Sequence, residues 1–193
     1  MAQTPTSRKE ETHERIVRTA ARAIRQRGYA GVGVAEVMKE AGLTHGGFYA
    51  HFGSRTALLA EAADRAGADG VQSLRDIAEA APDGESLARM LDAYLSAEHV
   101  NAPELDCPVA ALGSELPRQE AQVRSAATQH IKAMASLLEA QLPRGAGRRE
   151  QALAVLAGMV GTLILARAVD DPALSASLRK AGRKALAAQT EPR

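Results

Sequence analysis

A chain of 193 residues, of which 46% are hydrophobic and 24% charged, can bury one sizeable core, and this composition excludes a disordered or fibrous protein. The single cysteine excludes an internal disulfide framework and a cysteine-rich zinc site. The net charge of +1 is unevenly distributed, since residues 1–56 carry +4 and the remaining residues −3. A basic segment on a mildly acidic body predicts a polyanionic partner for the basic segment.

The sequence shows no membrane or secretory signal. Its first 15 residues lack the apolar block of a signal peptide. The most apolar run, residues 152–166, is shorter than the roughly 20 residues that cross a bilayer. We therefore expect a cytoplasmic protein without a membrane partner.

The residue pattern predicts an all-α protein, because alanine, leucine and arginine dominate and no β-branched run alternates with period two. The first helix is predicted to begin between Ser7 and Thr12, where Ser7 and Glu10 can form a capping box. Gly28 is placed to end this helix in the left-handed conformation. The core-facing stripe of the helix consists of Ile16, Ala20 and Ile24.

Two short helices are predicted next. Apolar residues at helical spacing place the second helix at about 34–41, ended by Gly42. The pair Leu43 and Thr44 forms a very short turn, and Thr44 is the predicted N-cap of a third helix at about 45–51. Two helices joined this closely cross at a steep angle, which is helix-turn-helix geometry.

Longer helices follow. Ser54 is the predicted cap of a helix over residues 55–80, which Pro82 and Gly84 end. The remaining helices are predicted over residues 85–100, 107–115, 118–142, 148–169 and 172–188.

The third helix and the residue directly after it hold three of the five aromatic residues of the chain. Phe48 and Phe52 are four residues apart and share one face. They are predicted to pack on a set of core residues: Ile16, Ile24, Val37 and Leu58.

The adjacent Gly46 and Gly47 each cost about 1 kcal/mol relative to alanine in a helix interior. One explanation is that the bare helix end presses against the floor of a DNA major groove, while side chains around it reach phosphates. The other explanation is that the glycines only allow tight packing near a turn. In that case Tyr49 and His51 are ordinary surface residues.

Residues 13–62 closely resemble the DNA-binding domain of the TetR family of bacterial transcriptional repressors. The signature residues are Gly28, Ala41 with Gly42, Tyr49 with Phe52, and Ser54 with Arg55. The resemblance implies a helix-turn-helix DNA-binding domain at residues 1–56 and a helical effector-sensing and dimerisation domain at residues 57–193. It also implies that Thr44, His45, Gly46 and Gly47 face base edges, and that Tyr49, His51 and Arg55 contact phosphates.

Two departures from the family pattern bear on DNA binding. Family members often hold phosphates with a hydroxyl and a basic residue at the start of the second helix, where this chain has Gly33, Val34 and Ala35. Fewer contacts to the DNA phosphate backbone are therefore implied. His45 stands where the family often has lysine or arginine, which implies weaker, pH-sensitive or differently targeted base recognition.

In this family the last two helices form the dimer. The segment from Ala152 to Ala168 is apolar nearly all round, as expected for a helix buried against both its own core and a partner. Ala154, Gly158 and Gly161 permit close helix approach. The alternative is a helix buried within one monomer.

Cys107 precedes Pro108 and so lies at a predicted helix N-terminus, a position that lowers the pKa of a thiol, while Glu104 and Asp106 act in the opposite direction. One hypothesis is a buried, inert cysteine. The other is a modifiable switch, because the stretch "CPVAALGSEL" resembles that of TetR family members that sense electrophiles or oxidants through a cysteine at this point. A small, mostly aliphatic effector cavity is predicted from Tyr94, His99, His130, Met134 and Met159, each of which is alternatively a plain core or surface residue.

The expected function is a DNA-binding regulator, most simply a homodimeric repressor that leaves its pseudo-palindromic operator when an inducer binds or Cys107 is modified. The alternative is a helical protein-protein adaptor without DNA binding. No enzyme motif, cofactor site or metal site is predicted.

Overall fold

A computed structural model describes residues 7–102 and 107–189 of the chain. Over these residues the structure is helical and contains no strand, which confirms the all-α prediction. The α-helices are α1 (Arg8–Arg27), α2 (Val34–Glu40), α3 (Arg55–Ala80), α4 (Ser86–Tyr94), α5 (Ala97–Asn101), α6 (Pro108–Leu112), α7 (Ala121–Gln141), α8 (Arg148–Ala168) and α9 (Pro172–Ala188). Within these two described ranges, 3₁₀ helices occupy His45–Ala50 and Leu116–Arg118.

The predicted caps of the first and fourth helical segments are present. At α1 the Ser7 N–H donates to Glu10 Oε2 at 2.7 Å, and the Glu10 N–H donates to the Ser7 hydroxyl, which completes the capping box. Gly28 follows α1 with a φ of 73° and a ψ of 171°, so it has positive φ but leaves the helix extended rather than in the left-handed helical region. At α3 the Ser54 hydroxyl accepts from the Ala57 N–H at 3.1 Å.

Three predicted helices differ from those observed. The third is a 3₁₀ helix, because two glycines weaken the α-helix and Thr44 forms no side-chain cap. The helix predicted over residues 85–100 is interrupted after Tyr94, and Ser96 begins α5 by accepting from the His99 N–H. The helix predicted over residues 107–115 ends at Leu112.

Two hydrophobic cores organise the molecule. The first core belongs to what we call the head, which consists of α1, α2, the His45–Ala50 helix and the first half of α3. The second core belongs to the body, which consists of the second half of α3 together with α4 to α9. Because α3 runs unbroken through both, the domain boundary predicted at residue 56 falls in its first turn and stays a prediction.

Among the described residues one helix, α8, is long and apolar enough to cross a membrane by length and composition. The prediction had considered only the shorter apolar run inside this helix. Core helices of globular proteins pass the same test, and the buried side chains of α8, including Val155, Met159 and Leu163, belong to the body core.

Candidate functional site

One face of the His45–Ala50 helix packs against the core of the head. Phe48 and Phe52 are each only 2% exposed, and their rings stack with centroids 5.5 Å apart. Both belong to the core that contains the predicted partners Ile16, Ile24, Val37 and Leu58. The predicted anchoring role of the two phenylalanines is therefore confirmed.

The opposite side of this helix is open to solvent. Tyr49 is 72% exposed, although its ring edge contacts Phe48 at a centroid distance of 5.2 Å. Thr44, His45 and Gly46 are exposed, and Gly47 is half-buried. The residues predicted to face base edges thus lie together on one accessible end of the helix.

Packing within the chain does not explain Gly46. A Cβ atom built there would meet no atom within 4 Å, and one built at Gly47 would make only an ordinary 3.6 Å contact with Met38 Cε. Neither glycine has positive φ. The tight-packing alternative is therefore unsupported at Gly46, where the bare backbone leaves a surface that another molecule can approach closely.

Arg55, predicted as a phosphate contact, is largely used inside the head. Its Nη2 donates to the carbonyl of Tyr29 at 2.5 Å and to that of Val32 at 3.0 Å, and its Nε also donates to the Val32 carbonyl at 3.1 Å. These bonds clamp the α1–α2 connection to the start of α3. Sequence reasoning missed this role because the partners lie 23 and 26 residues away and no local pattern marks them.

His51 is half-buried and packs beside a residue that the sequence analysis did not single out. Its ring lies 5.9 Å from that of His13, which stacks on Phe52 at 4.5 Å. His13 Nε2 also lies 2.6 Å from Glu61 Oε2. Burial, reinforced by the charges of His13 and Lys9, lowers the pKa of His51, so a neutral imidazole is favoured beside the exposed helix.

Four of the six side chains proposed for the thiol switch and the effector cavity converge on one small cavity in the body. Tyr94, His99, Cys107 and Met134 line a cavity of about 50 Å³ together with residues of α3 and Ala93. Such a volume holds a few water molecules or a small fragment, not a drug-sized ligand.

His130 does not line this cavity, and its predicted effector role stays a prediction. Its Nε2 lies 2.8 Å from Asp64 Oδ1, and its ring covers Gly67, where a Cβ would overlap it. The missing side chain at Gly67 therefore leaves room for the His130 ring. Met159 likewise lies in the body core and not at the cavity.

Cys107 is 4% exposed, and its Sγ lies 3.8 Å from Met134 Sδ. Burial raises the pKa of the Cys107 thiol, and this effect outweighs the Tyr94 hydroxyl, the N–H groups of Ala110 and Val109, and the charge of Arg25, which all lower it. The predicted lowering at a helix N-terminus is thus overturned by burial. Glu104 and Asp106, which were expected to influence the thiol, lie outside the described residues.

The other polar groups of the cavity are also neutral near pH 7. Burial, with the charge of Arg167, lowers the pKa of His99 to about 4. Burial also raises the pKa of Tyr94 well above its usual value. Within the described part of the chain, no group of three or more His, Cys, Asp or Glu side chains could hold a metal ion.

Residues 16–62 match the family model described as bacterial regulatory proteins, tetR family. An uncharacterized HTH-type transcriptional regulator of Mycobacterium tuberculosis (strain ATCC 25618 / H37Rv) is 34% identical over 114 residues, which are 58% of this chain and 57% of that protein. The uncharacterized HTH-type regulator YerO of Bacillus subtilis is 39% identical over 54 residues, 28% of this chain and 19% of YerO. The chain thus spans well under two thirds of the length of these relatives.

Solved structures share the fold over nearly the whole chain. A TetR family transcriptional regulator from Cytophaga hutchinsonii has a TM-score of 0.81 at 18% identity, covering 98% of this chain and 100% of that one. The reduced form of NemR from Escherichia coli has a TM-score of 0.75 at 21% identity, covering 91% and 95%. This chain thus matches the TetR family over residues 16–62 and shares the fold of TetR family structures.

The match supports a DNA-binding transcriptional regulator, and the adaptor alternative has no support. The matched residues run from α1 into the first half of α3, so they include the whole exposed 3₁₀ helix and its anchors. The departure at the start of α2 is visible in the structure, because Gly33 is the N-cap residue and makes no side-chain cap.

Proposed function

We propose that this chain is a TetR family transcriptional repressor that binds a pseudo-palindromic DNA operator as a homodimer in the cytoplasm. One observation carries the proposal: an exposed helix with a bare glycine front, held by two buried phenylalanines, stands out from a head that carries the excess positive charge of the chain. A rigid, small-faced helix of this kind fits the major groove.

In the proposed complex, Thr44, His45, Gly46 and Gly47 face base edges. Tyr49 and His51 contact phosphates. Arg55 contributes through Nη1, since its Nε and Nη2 are bonded within the head.

A second copy of the chain is proposed to cover an apolar surface on α8 and α9. Leu153, Ile164, Leu165 and Leu174 are 42–55% exposed there. The space next to Gly161 is open, whereas the space next to Gly158 is already filled by the side chain of Leu186 from the same chain. Two helices from each copy would bury this surface and place the two heads about one helical turn, roughly 34–36 Å, apart on DNA.

The proposed effector acts at the Cys107 cavity. Because its polar groups are neutral and its volume is only about 50 Å³, the cavity favours a small uncharged inducer or a covalent modification of the thiol. An inducer or a modified thiol that fills so small a cavity would displace the helices around it. This displacement is the proposed cause of release from the operator.

The substitution Tyr49→Ala tests the placement of the recognition helix. It removes an exposed side chain, so the fold and the dimer should be unchanged while operator affinity falls about tenfold or more. Affinity is measured by gel shift on a duplex selected from random sequence, and the dimer by light scattering.

The matched control is Arg75→Ala, an exposed change on the far half of α3 that should leave affinity unaltered. Wild-type affinity for Tyr49→Ala would show that the recognition helix is misplaced. Insensitivity of duplex binding to salt would contradict DNA binding as such, since phosphate contacts release counterions.

A further inference from the structure

Helix α6 joins the two cores of the molecule. Cys107, directly before its first residue, lies in the body core beside Met134. Leu112, its last residue, is 1% exposed and lies in the head core. A helix of five residues, roughly 7.5 Å long, therefore spans the boundary between the effector cavity and the head.

The turn after α6 places a carboxylate on the end of α1. The Tyr29 N–H donates to Glu115 Oε2 at 2.9 Å, across 86 residues of sequence. Gly28 makes this approach possible, because a Cβ atom at that position would overlap the Glu115 carboxylate. Gly28 is thus favoured by its positive φ, and its missing Cβ leaves room for the Glu115 carboxylate.

Charge does not account for the position of Glu115. The C-terminal end of a helix carries partial negative charge, and a carboxylate there is unfavourable unless it accepts a hydrogen bond. The bond from the Tyr29 N–H is therefore the interaction that holds Glu115 against α1.

Tyr29 is a rigid part of the head. Its ring is 2% exposed in the head core, and its carbonyl accepts from Arg55. Glu115 thus bonds to a backbone segment that is itself clamped to the start of α3. A movement of α6 that pulled Glu115 away would remove a hydrogen bond from the base of the recognition unit.

We propose that Glu115 is a positioning residue that transmits the state of the Cys107 cavity to the DNA-binding head through its bond to the Tyr29 N–H. This inference rests on the proposed function. When the cavity is filled or Cys107 is modified, α6 shifts, the Glu115 bond breaks, and the head is released from its orientation on the operator.

The test uses alkylation of Cys107 by iodoacetamide at high pH as the probe. The cysteine sulfur forms a bond to carbon as iodide leaves, and the thiol proton passes to the buffer. In the wild type, alkylation should weaken operator binding about tenfold or more. In Glu115→Ala the ratio of affinities before and after alkylation should fall to about threefold or less.

Two further variants separate positioning from a general structural role. Glu115→Gln keeps an acceptor of the same length and should restore the wild-type ratio. Glu115→Asp is shorter by one C–C bond, about 1.5 Å, and should not restore it. Glu120→Ala, which removes an exposed carboxylate from the same segment, is the matched control and should behave as wild type.

Amide hydrogen exchange at Tyr29 supplies a readout that does not need DNA. Exchange should accelerate about tenfold in Glu115→Ala and in the alkylated wild type, but not in Glu115→Gln. If alkylation leaves Tyr29 exchange unchanged, or Glu115→Ala keeps the full affinity ratio, the proposal is overturned. If the unmodified wild type fails to bind any selected duplex, the proposed function fails instead, and Tyr29 exchange still decides the role of Glu115.

Discussion

Gly46 shows what the absence of a side chain accomplishes at the proposed DNA surface. Its φ is not positive, and a Cβ atom would meet nothing within 4 Å, so neither backbone conformation nor packing in the head requires glycine. Glycine within a helix is nevertheless about 1 kcal/mol less favourable than alanine. A requirement from outside the chain is the remaining physical explanation.

We expect Gly46→Ala to have opposite effects on folding and binding. The free energy of unfolding, measured by urea denaturation, should rise by about 0.5–1 kcal/mol, because alanine restricts the unfolded chain. Operator affinity, measured by gel shift, should fall about fivefold or more, because the added methyl group holds the helix away from the groove floor.

Gly145→Ala is the control for this substitution, since a Cβ there also meets nothing within 4 Å but the residue lies in the α7–α8 connection. It should leave operator affinity unchanged. If Gly46→Ala also leaves operator affinity unchanged, Gly46 is an ordinary turn residue and does not approach DNA closely.

Among the helices, α6 shows two opposing influences on one thiol. Its N-terminus directs the N–H groups of Val109 and Ala110 toward Cys107, which favours the thiolate, but burial has the larger effect. Since a helix of five residues aligns few peptide dipoles, desolvation prevails and the pKa is raised.

The raised pKa predicts the pH dependence of Cys107 reactivity. Only the thiolate reacts, so the alkylation rate should increase about tenfold per pH unit between about pH 7 and pH 9 without a plateau. The measurement is the rate of iodoacetamide labelling by mass spectrometry, with Cys107→Ser as the unlabelled control. A plateau below about pH 7 would indicate a stabilised thiolate and contradict the burial effect.

The same control variant tests cysteine sensing. If iodoacetamide releases Cys107→Ser from the operator as readily as it releases the wild type, modification of the cysteine is not the signal. A non-covalent inducer would then be the remaining hypothesis.

Local sequence signals predicted helix ends well where the partners were close. Ser7 with Glu10 and Ser54 with Ala57 are pairs three residues apart, and both caps are present. The break after Tyr94 was missed because no proline or glycine marks it. Ser96, a favoured N-cap residue, was the available signal.

For the molecule as a whole, periodicity predicted which residues are buried but not which cavity or partner they meet. The bonds of Arg55 to Tyr29 and of Tyr29 to Glu115 join residues that are distant in sequence, and no repeat or spacing encodes them. His130 and Met134 share a face of α7, yet only Met134 lines the Cys107 cavity, and the His130 ring packs over Gly67. Such outcomes depend on packing between elements.

The exposed surface of α8 and α9 leads to a prediction about assembly. Leu165 is 55% exposed in the single chain, so Leu165→Glu should leave the fold intact. A buried, unpaired carboxylate would however prevent association of the apolar surfaces, and sedimentation should show a monomer. Because one head alone makes half of the contacts, operator affinity should fall about a hundredfold or more.

Gln72→Glu, which adds the same charge at an exposed position on α3, is the control and should remain dimeric. A dimer that persists in Leu165→Glu would place the interface elsewhere.

The Arg55 clamp has a consequence for how this protein distinguishes its free and bound states. Because the guanidinium ties the Tyr29–Val32 connection to the first turn of α3, the parts of one head cannot slide past each other without losing those bonds. In the proposed repressor, a signal from the body would therefore turn each head as a single rigid body, and the spacing between the two heads of the dimer would be the regulated quantity. The affinity for an isolated half-site would then be the same with and without inducer. Only the affinity for a full palindrome would change when inducer binds.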